Sequence, residues 1–325
     1  MPQPTSSQVH VDAVLTNISV AYLQRAENFI ADKVFPVVPV DKQSDKYFTY
    51  DKNDWLRDEA QRRADGTESV GSGYNISTAA YYCDVWAIHK DVGDQTRANA
   101  DAAINVDREA AEFVTHRLLL RKEIQFVSDF MSTSVWSKDI TGVSASPSTN
   151  QTIQWSDYTN SDPIEDIEDG KASILSVTGL EANTLVLGYD VFRNLKNHPD
   201  IVDRIKYTSS QTVTADMLAR MFEVDRVLVS KSVKATNKEG ETGAYSFTTG
   251  KTALLCHVAN NPGLLTPSAG YTFAWTGVSQ GLGATVGTSS FRMDELRATR
   301  VEGEVAFDNK VVASDLGYFW TSIVA

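Results

Sequence analysis

The chain has 325 residues, with 42 acidic against 30 basic side chains, a formal net charge of −12 and a pI near 4.9. Its apolar and charged fractions are those of a folded soluble protein, and its length allows more than one domain at roughly 100–200 residues each. The acidic balance excludes a sequence-wide electrostatic grip on nucleic acid, which needs clustered Lys and Arg; it leaves room for a protein that merely encloses nucleic acid. Cys83 and Cys256 stand far apart, each in an apolar strand-like run, and are expected as buried free thiols with neither a disulfide framework nor a zinc spacing. The start, "MPQPTSSQVHVDAV", has no basic or apolar leader pattern. No run approaches the eighteen or so apolar residues of a membrane span. A reducing, cytoplasm-like compartment and no membrane contact are therefore expected.

Residues 1–44 have the character of an arm. Val11, Val14, Leu15, Ile18 and Tyr22 fall at helical spacing. "VFPVVPV" follows at 34–40, where Pro36 and Pro39 forbid helix and favour an extended path. Such a segment packs poorly on its own and is expected to lie across another surface. Strand signals begin at "KYFTY" (46–50) and resume at "YYCDVWAI" (81–88). Between them runs "YDKNDWLRDEAQRRADGTESVGSGYNIS", crowded with charge and offering a core little beyond Trp55, Leu56 and Val70. A hairpin inside a domain needs only about two to five loop residues, so this stretch is too long for a simple turn. Within it "DWLRDEAQRRA" predicts about three helical turns, capped by Asp54, with Asp58–Arg62 and Glu59–Arg63 as (i, i+4) pairs.

A long helix is predicted over 106–132, roughly 40 Å at 1.5 Å per residue. Val106, Ala110, Phe113, Leu120, Ile124, Val127 and Met131 form its apolar stripe, interrupted only by Arg117. A single stripe on so long a helix makes it a strut lying along one surface. Ser, Thr, Asn and Gly dominate between Trp136 and Trp155, an exposed loop. "SDPIEDIEDGKASILSVTG" then starts a second unit, with Asp162 to cap, Pro163 at the first helical position and Gly179 at the stop. "TLVLGY" (184–189), "DRVLVSKSV" and "TALLCHVA" are strands; "DVFRNLKNH" and "TADMLARMF" (214–222) are helices; 234–245 is a polar hairpin loop. This alternation makes 160–290 a compact α/β or α+β unit. "RATRVEGEVAFDNKVVASDLGYFWTSI" closes the chain as long strands broken at Asp308-Asn309. Nothing repeats internally.

No chemical motif survives its context. "GVSQG" (277–281) fits a nucleophile elbow around Ser279, but no helix pattern follows and the last histidine, His257, lies upstream, so the required serine–acid–histidine order fails. "GLGATVG" (281–287) has the glycine content of a phosphate loop without its spacing or its Lys-Ser/Thr end. Histidines 10, 89, 116, 198 and 257 show no metal spacing, and His116 reads as a solvated or hydrogen-bonded side chain of the strut. "DPIEDIEDG" lacks the alternating ligands of a calcium loop and suits a helix N-terminus. Neither enzyme chemistry, a cofactor nor a metal is expected. The arm, the projecting hairpin and the strut instead look unfinished when the chain is alone, and ordering them without internal contacts is costly. Neighbouring copies would supply what is missing.

That order of parts resembles the major capsid proteins of tailed bacteriophages, a coat-protein fold shared with encapsulins and the floor of herpesvirus shells. Residues 55–92, with Arg-Arg-Ala-x-Gly-Thr and an aromatic return strand, look like the family's extended loop; 99–127 look like its spine helix, and 185–208 like the strand and helix of its axial domain. The resemblance implies an α+β fold with an N-terminal arm (1–44), an extended loop (45–92), a peripheral domain with the spine helix (93–159), an axial domain (160–290) and returning peripheral strands (291–325). It implies a shell protein that self-assembles into pentamers and hexamers of an icosahedral head, made in the host cytoplasm and carried in the virion. The loop would lie over the adjacent subunit, with Trp55, Arg57, Asp58, Glu59, Arg62, Arg63 and Glu68 at the contact. Implied partners are other copies of the chain, a portal protein, enclosed double-stranded DNA and, because the arm starts almost at Met1, a separate scaffolding protein. The Lys, Asn and Glu with which some relatives cross-link their subunits cannot be placed here. An encapsulin-type compartment shell is the alternative within the fold, and a plain binding domain the alternative outside it.

Overall fold

The computed structural model describes residues 24–100, 104–206, 213–263, 265–278 and 286–325. Two sheets organise them. The six-stranded sheet runs in the order Gln151–Ile153, Lys138–Val143, Gly317–Thr321, Ala253–Cys256, Thr184–Gly188, Arg226–Ser230. Thr184–Gly188 and Ala253–Cys256 are buried at every position, as expected of short apolar runs covered on both faces. Helix Pro163–Thr178 packs Ile164, Ile167 and Ile174 into the same core as Trp155 and Trp320. Its ends follow the expected chemistry. Asp162 Oδ1 accepts from the backbone N–H groups of Ile164 and Glu165 at 3.0 and 3.1 Å. Gly179 closes the helix at φ +73°, a left-handed conformation that favours glycine.

The five-stranded sheet is built around Ala298–Val311. Its first part pairs with Asp84–Gly93 on one side and Gly287–Met293 on the other, and its end pairs with Gly270–Trp275. Gly270–Trp275 in turn takes Val37–Val40 as a parallel neighbour. The long helix, Val106–Phe130, is capped by the Asn105 side chain and lies across this sheet. Its buried positions are Val106, Ala110, Val114, Leu118, Lys122, Glu123, Phe126 and Phe130. The expected stripe is therefore wrong in phase from the second turn on: Phe113 is exposed and Leu120 and Ile124 are only half-buried. Under the helix, Gly303 lets backbone and helix approach closely. A Cβ there would collide with Val114 Cγ1 and sit 2.8 Å from Leu118 Cδ1.

The arm also departs from expectation. Residues 29–35 do not lie across a foreign surface: Ile30, Ala31, Val34 and Phe35 belong to the chain's own core, and "VVPV" joins its own sheet. The helical stretch read over 11–22 lies outside the described residues. Gly317–Thr321, grouped by sequence with the returning peripheral strands, sits in the six-stranded sheet, and Gly270–Trp275, grouped with 160–290, sits in the five-stranded one. In the loop, Ser44–Tyr50 pairs with Ile76–Tyr82, a return strand that starts earlier than "YYCDVWAI" and passes on into Asp84–Gly93. The three-turn helix is absent: only Lys52–Trp55 is helical, capped by Asp51 rather than Asp54.

Leu118→Ala should cost about 2–5 kcal/mol, the range for emptying a packed core site. Leu120→Ala should cost clearly less, and Gly303→Val should destabilise by about 1–3 kcal/mol through overpacking. Denaturant midpoints of the three variants check this order.

Candidate inter-subunit surface on the extended loop

The hairpin leaves the body as a two-stranded ribbon. Cross-strand register pairs Tyr47 with Ala79 and Asp45 with Tyr81, which puts Tyr47 and Tyr81 on one face. That face docks on the five-stranded sheet, with the Tyr81 ring stacked 4.6 Å from Phe273 and Tyr47 at 5.3 Å. Side chains alternate along a strand, so Phe48 and its neighbours Tyr50 and Ile76 fall on the opposite face. Phe48 is 58% exposed, and Ile76 and Tyr82 are exposed with it. Lys52 Nζ, at the base of the tip, bonds Asp315 of the body, whose other carboxylate oxygen accepts from Ser137 Oγ at 2.5 Å.

Residues 51–75 are exposed almost throughout. Trp55, 52% exposed, leans on Tyr74 at 5.3 Å and meets Tyr50 edge-on at 6.2 Å. Arg57 is used inside the tip: it bonds Asp54 at 2.7 Å and Glu59 at 3.1 Å. Asp54 in turn accepts from Asn75 N at 2.9 Å, which ties the two ends of the loop together. The Ser72 hydroxyl bonds Glu59 and, with Arg57, holds that carboxyl below its usual range. Asp58, Arg62, Arg63 and Glu68 form no ion pair within the described residues, so the expected pairs Asp58–Arg62 and Glu59–Arg63 are replaced by the Arg57 cluster. Of the seven residues singled out by sequence, Trp55, Arg57 and Glu59 thus shape the tip, and the other four project unpaired.

Reading by charge missed the apolar part. Phe48, Leu56, Val70, Tyr74 and Ile76 are exposed beside Trp55. An isolated two-stranded ribbon is marginal in water, and contiguous exposed apolar surface marks interaction sites. The period-two alternation in "KYFTY" and "YNISTAAYY" carried that signal.

One constellation elsewhere has the outline of a catalytic triad. His198 Nε2 lies 3.1 Å from Ser161 Oγ, and its Nδ1 lies 3.4 Å from Asp200 Oδ2. The hydrogen bonds run the wrong way for a nucleophile. Asp200 N donates to Nδ1 at 3.4 Å, so the ring proton sits on Nε2 and points at Ser161, whose own hydroxyl donates to Asp157 O at 2.6 Å. His198 caps helix Pro199–Lys206 and Ser161 anchors the chain before Pro163; neither is activated. Cys83 and Cys256 are buried and unpaired, as expected, with burial raising their thiols to about 11 and about 12. Among the described residues no group of His, Cys, Asp or Glu could hold a metal ion, and no helix is long and apolar enough to cross a membrane. Ser279 lies outside the described residues.

No family model matches the chain. Two curated relatives do, along nearly their whole length. One, from Burkholderia phage BcepMu, is 25% identical over 320 residues, covering 96% of both chains. The other, from Pseudomonas phage JBD67, is 26% identical over 323 residues, covering 97% of both. Each is named a major capsid protein. The chain belongs to the phage major capsid proteins. Solved structures place this capsid protein in the same fold. A phage-related protein of Bordetella bronchiseptica matches with a TM-score of 0.68 at 23% identity, over 92% of this chain and 94% of its own. The capsid of cyanophage P-SCSP1u matches at 0.61 and 11% identity, over 96% and 91%. An encapsulin of Synechococcus elongatus shares the fold at 0.57 and 10% identity, over 96% and 93%. The capsid protein's curated relatives are phage proteins, so the phage reading stands over the encapsulin one.

The buried His198 of the capsid protein gives a pH prediction. Burial holds its imidazole below the ordinary 6.5, although Asp200 pulls the other way. The unfolded chain then binds a proton that the folded chain refuses. The stability from this site is whole above about pH 6.5 and is lost as pH falls through the lower folded value. His198→Asn keeps a capping side chain but does not titrate. Its unfolding midpoint should fall less than that of the parent between about pH 7 and 5, measured by denaturant titration at each pH.

Proposed function

We propose that the chain builds the capsomers of a tailed, double-stranded DNA phage head, assembling into pentamers and hexamers that close into an icosahedral shell. The observation that carries this reading is the ribbon whose inner face is docked and whose outer face, Phe48, Tyr50 and Ile76 with Trp55, Leu56 and Tyr74 beyond, has nothing of its own chain to cover it. In a closed ring of identical subunits each such loop covers the next copy and is not itself part of its own core. Trp55 and the apolar side chains around it would form the buried centre of that contact, with Asp58, Arg62, Arg63 and Glu68 at its rim. Arg57 and Glu59 would hold the tip in shape.

On this reading the five-stranded sheet and the long helix form the peripheral part of the subunit, and the six-stranded sheet with its helices the axial part around the capsomer centre. The first residues act as the arm and 45–92 as the extended loop. The further partners are a portal protein at one vertex, a separate scaffolding protein during assembly in the host cytoplasm, and DNA enclosed without sequence-specific contact. The net charge of −12 suits a container that does not bind its contents tightly.

The test is to separate folding from assembly. Replacing residues 51–75 by Asn-Gly joins Tyr50 to Ile76 through a tight turn. The product should stay soluble and folded, with little loss of melting temperature, yet form no shells in electron micrographs. Normal shells from this variant would refute the loop's role, and an unfolded chain would place the loop in the subunit's own core. Arg62→Glu with Arg63→Glu should weaken assembly most at low salt, where exposed charges are least screened, as read by light scattering across a salt series.

A further inference from the structure

We propose that residues 11–22 of the same chain lie along the half-exposed apolar stripe of the long helix formed by Phe113, Leu120 and Ile124. This contact is internal to the subunit and does not rest on the shell reading.

Three observations carry it. The first is where the described chain begins. Gln24 N donates to His116 Nε2 at 3.3 Å, and the Gln24 amide exchanges bonds with Val233, its Nε2 to the carbonyl at 2.6 Å and its Oε1 from the N–H at 2.8 Å. Phe29 then meets the His116 ring edge-on at 5.9 Å. The preceding residues are thereby delivered to the middle of the long helix, within one turn of both Phe113 and Leu120. The second is the stripe itself. Phe113 is 38% exposed, and Leu120 and Ile124 are half-buried; they face away from the sheet that holds Val114 and Leu118. From Phe113 to Ile124 is about 17 Å along the helix, and the apolar run Val11 to Tyr22 would span about 18 Å as a helix. The third is charge. Lys90 and Arg117 sit over the Phe113 ring at 5.5 and 5.1 Å with no acid beside them. Arg121 packs on Trp86 at 3.9 Å and keeps a buried Nε without a partner. Residues 1–24 hold no Lys or Arg and one acid, Asp12. An apolar segment with an acid fits a stripe bordered by three cations.

The proposal commits to the subunit's own segment, and cysteine cross-linking tests it in the full chain. Cys83 and Cys256 are buried and should stay silent. Ile18→Cys is combined in turn with Phe113→Cys, Leu120→Cys and Ile124→Cys, and with Leu175→Cys, exposed on another helix, as control. At least one stripe pair should oxidise to a cross-link that migrates as a single chain, while the Leu175 pair does not. A ladder of dimers and multimers would mean that a neighbouring copy's segment takes this place, and would overturn the proposal. Cross-linking at no stripe position would overturn it as well. In a second measurement, Leu120→Cys alone should react several-fold faster with a maleimide once residues 1–22 are deleted. Equal rates would show that these residues leave the stripe uncovered.

Discussion

The subunit is held together at one buried carboxylate. Glu123, on the long helix, has no solvent exposure. Its Oε2 accepts from the backbone N–H groups of Ile30 and Ala31, both at 2.9 Å. Its Oε1 accepts from Ser230 Oγ at 2.9 Å and Ser232 Oγ at 3.3 Å. Arm, long helix and six-stranded sheet therefore meet on one side chain. Enclosure raises its pKa, and these four donors act against that shift. The arrangement matters because the two N–H groups have no other partner there, and an orphaned buried donor costs about 1–3 kcal/mol. Beside it, buried Lys122 pairs with Asp32 of the arm, and Arg226 donates to Val34 O at 2.9 Å. With 30–34 fixed in this way, Phe35 falls 4.5 Å from Phe130 and close to Trp136. Val37–Val40 is then aimed along Gly270–Trp275. The polar junction sets the direction and the aromatic cluster supplies most of the burial.

The long helix serves both sheets because its buried face winds. Val106, Ala110, Val114, Leu118, Lys122, Phe126 and Phe130 are four residues apart, and each step of four turns the face by about 40°. The first half faces the five-stranded sheet, where Val114 and Leu118 cluster with Val305 and Phe307. The second half has turned to the larger core with Phe126 and Phe130. A straight stripe at alternating spacings of three and four could not reach both. This is also why sequence reading took Phe113, Leu120 and Ile124 for the core: they satisfy the straight pattern. Lys122 and Glu123 read as surface charge because their partners lie some ninety residues away in Asp32 and Ile30.

What was legible in the sequence is what local chemistry decides. Asp162, Pro163 and Gly179 bound their helix where expected, because capping bonds act within a few residues. The fully apolar strands at 184–188 and 253–256 announced a sheet covered on both faces. The loop was legible as a loop from its length and polarity. Its tip was not, because helix propensity over 54–64 has nothing to pack against and so short a helix is marginal in water; Arg57 instead gathers Asp54 and Glu59 and freezes another shape. The arm's destination was illegible for a different reason. Pro36 and Pro39 dictate an extended path, but the choice between a neighbour's surface and the chain's own Gly270–Trp275 depends on register across more than two hundred residues.

The loop's geometry bears on how a shell protein stays soluble before it assembles. Its outer face is apolar, yet the ribbon does not collapse onto its own body, because the opposite face is already docked through Tyr47 and Tyr81 and its base is pinned by Lys52 and Asp315. The tip is cross-braced by Arg57 and by the Asp54–Asn75 bond, so little further ordering remains when a neighbour arrives, and ordering is a main cost of association. The surrounding charges keep any one contact modest, since exposed pairs contribute about 0–1 kcal/mol each. Small terms of this kind suit a closed ring, in which every subunit both gives and receives the same contact. A misplaced copy is then held weakly and can leave, whereas a completed ring holds each member at two sides.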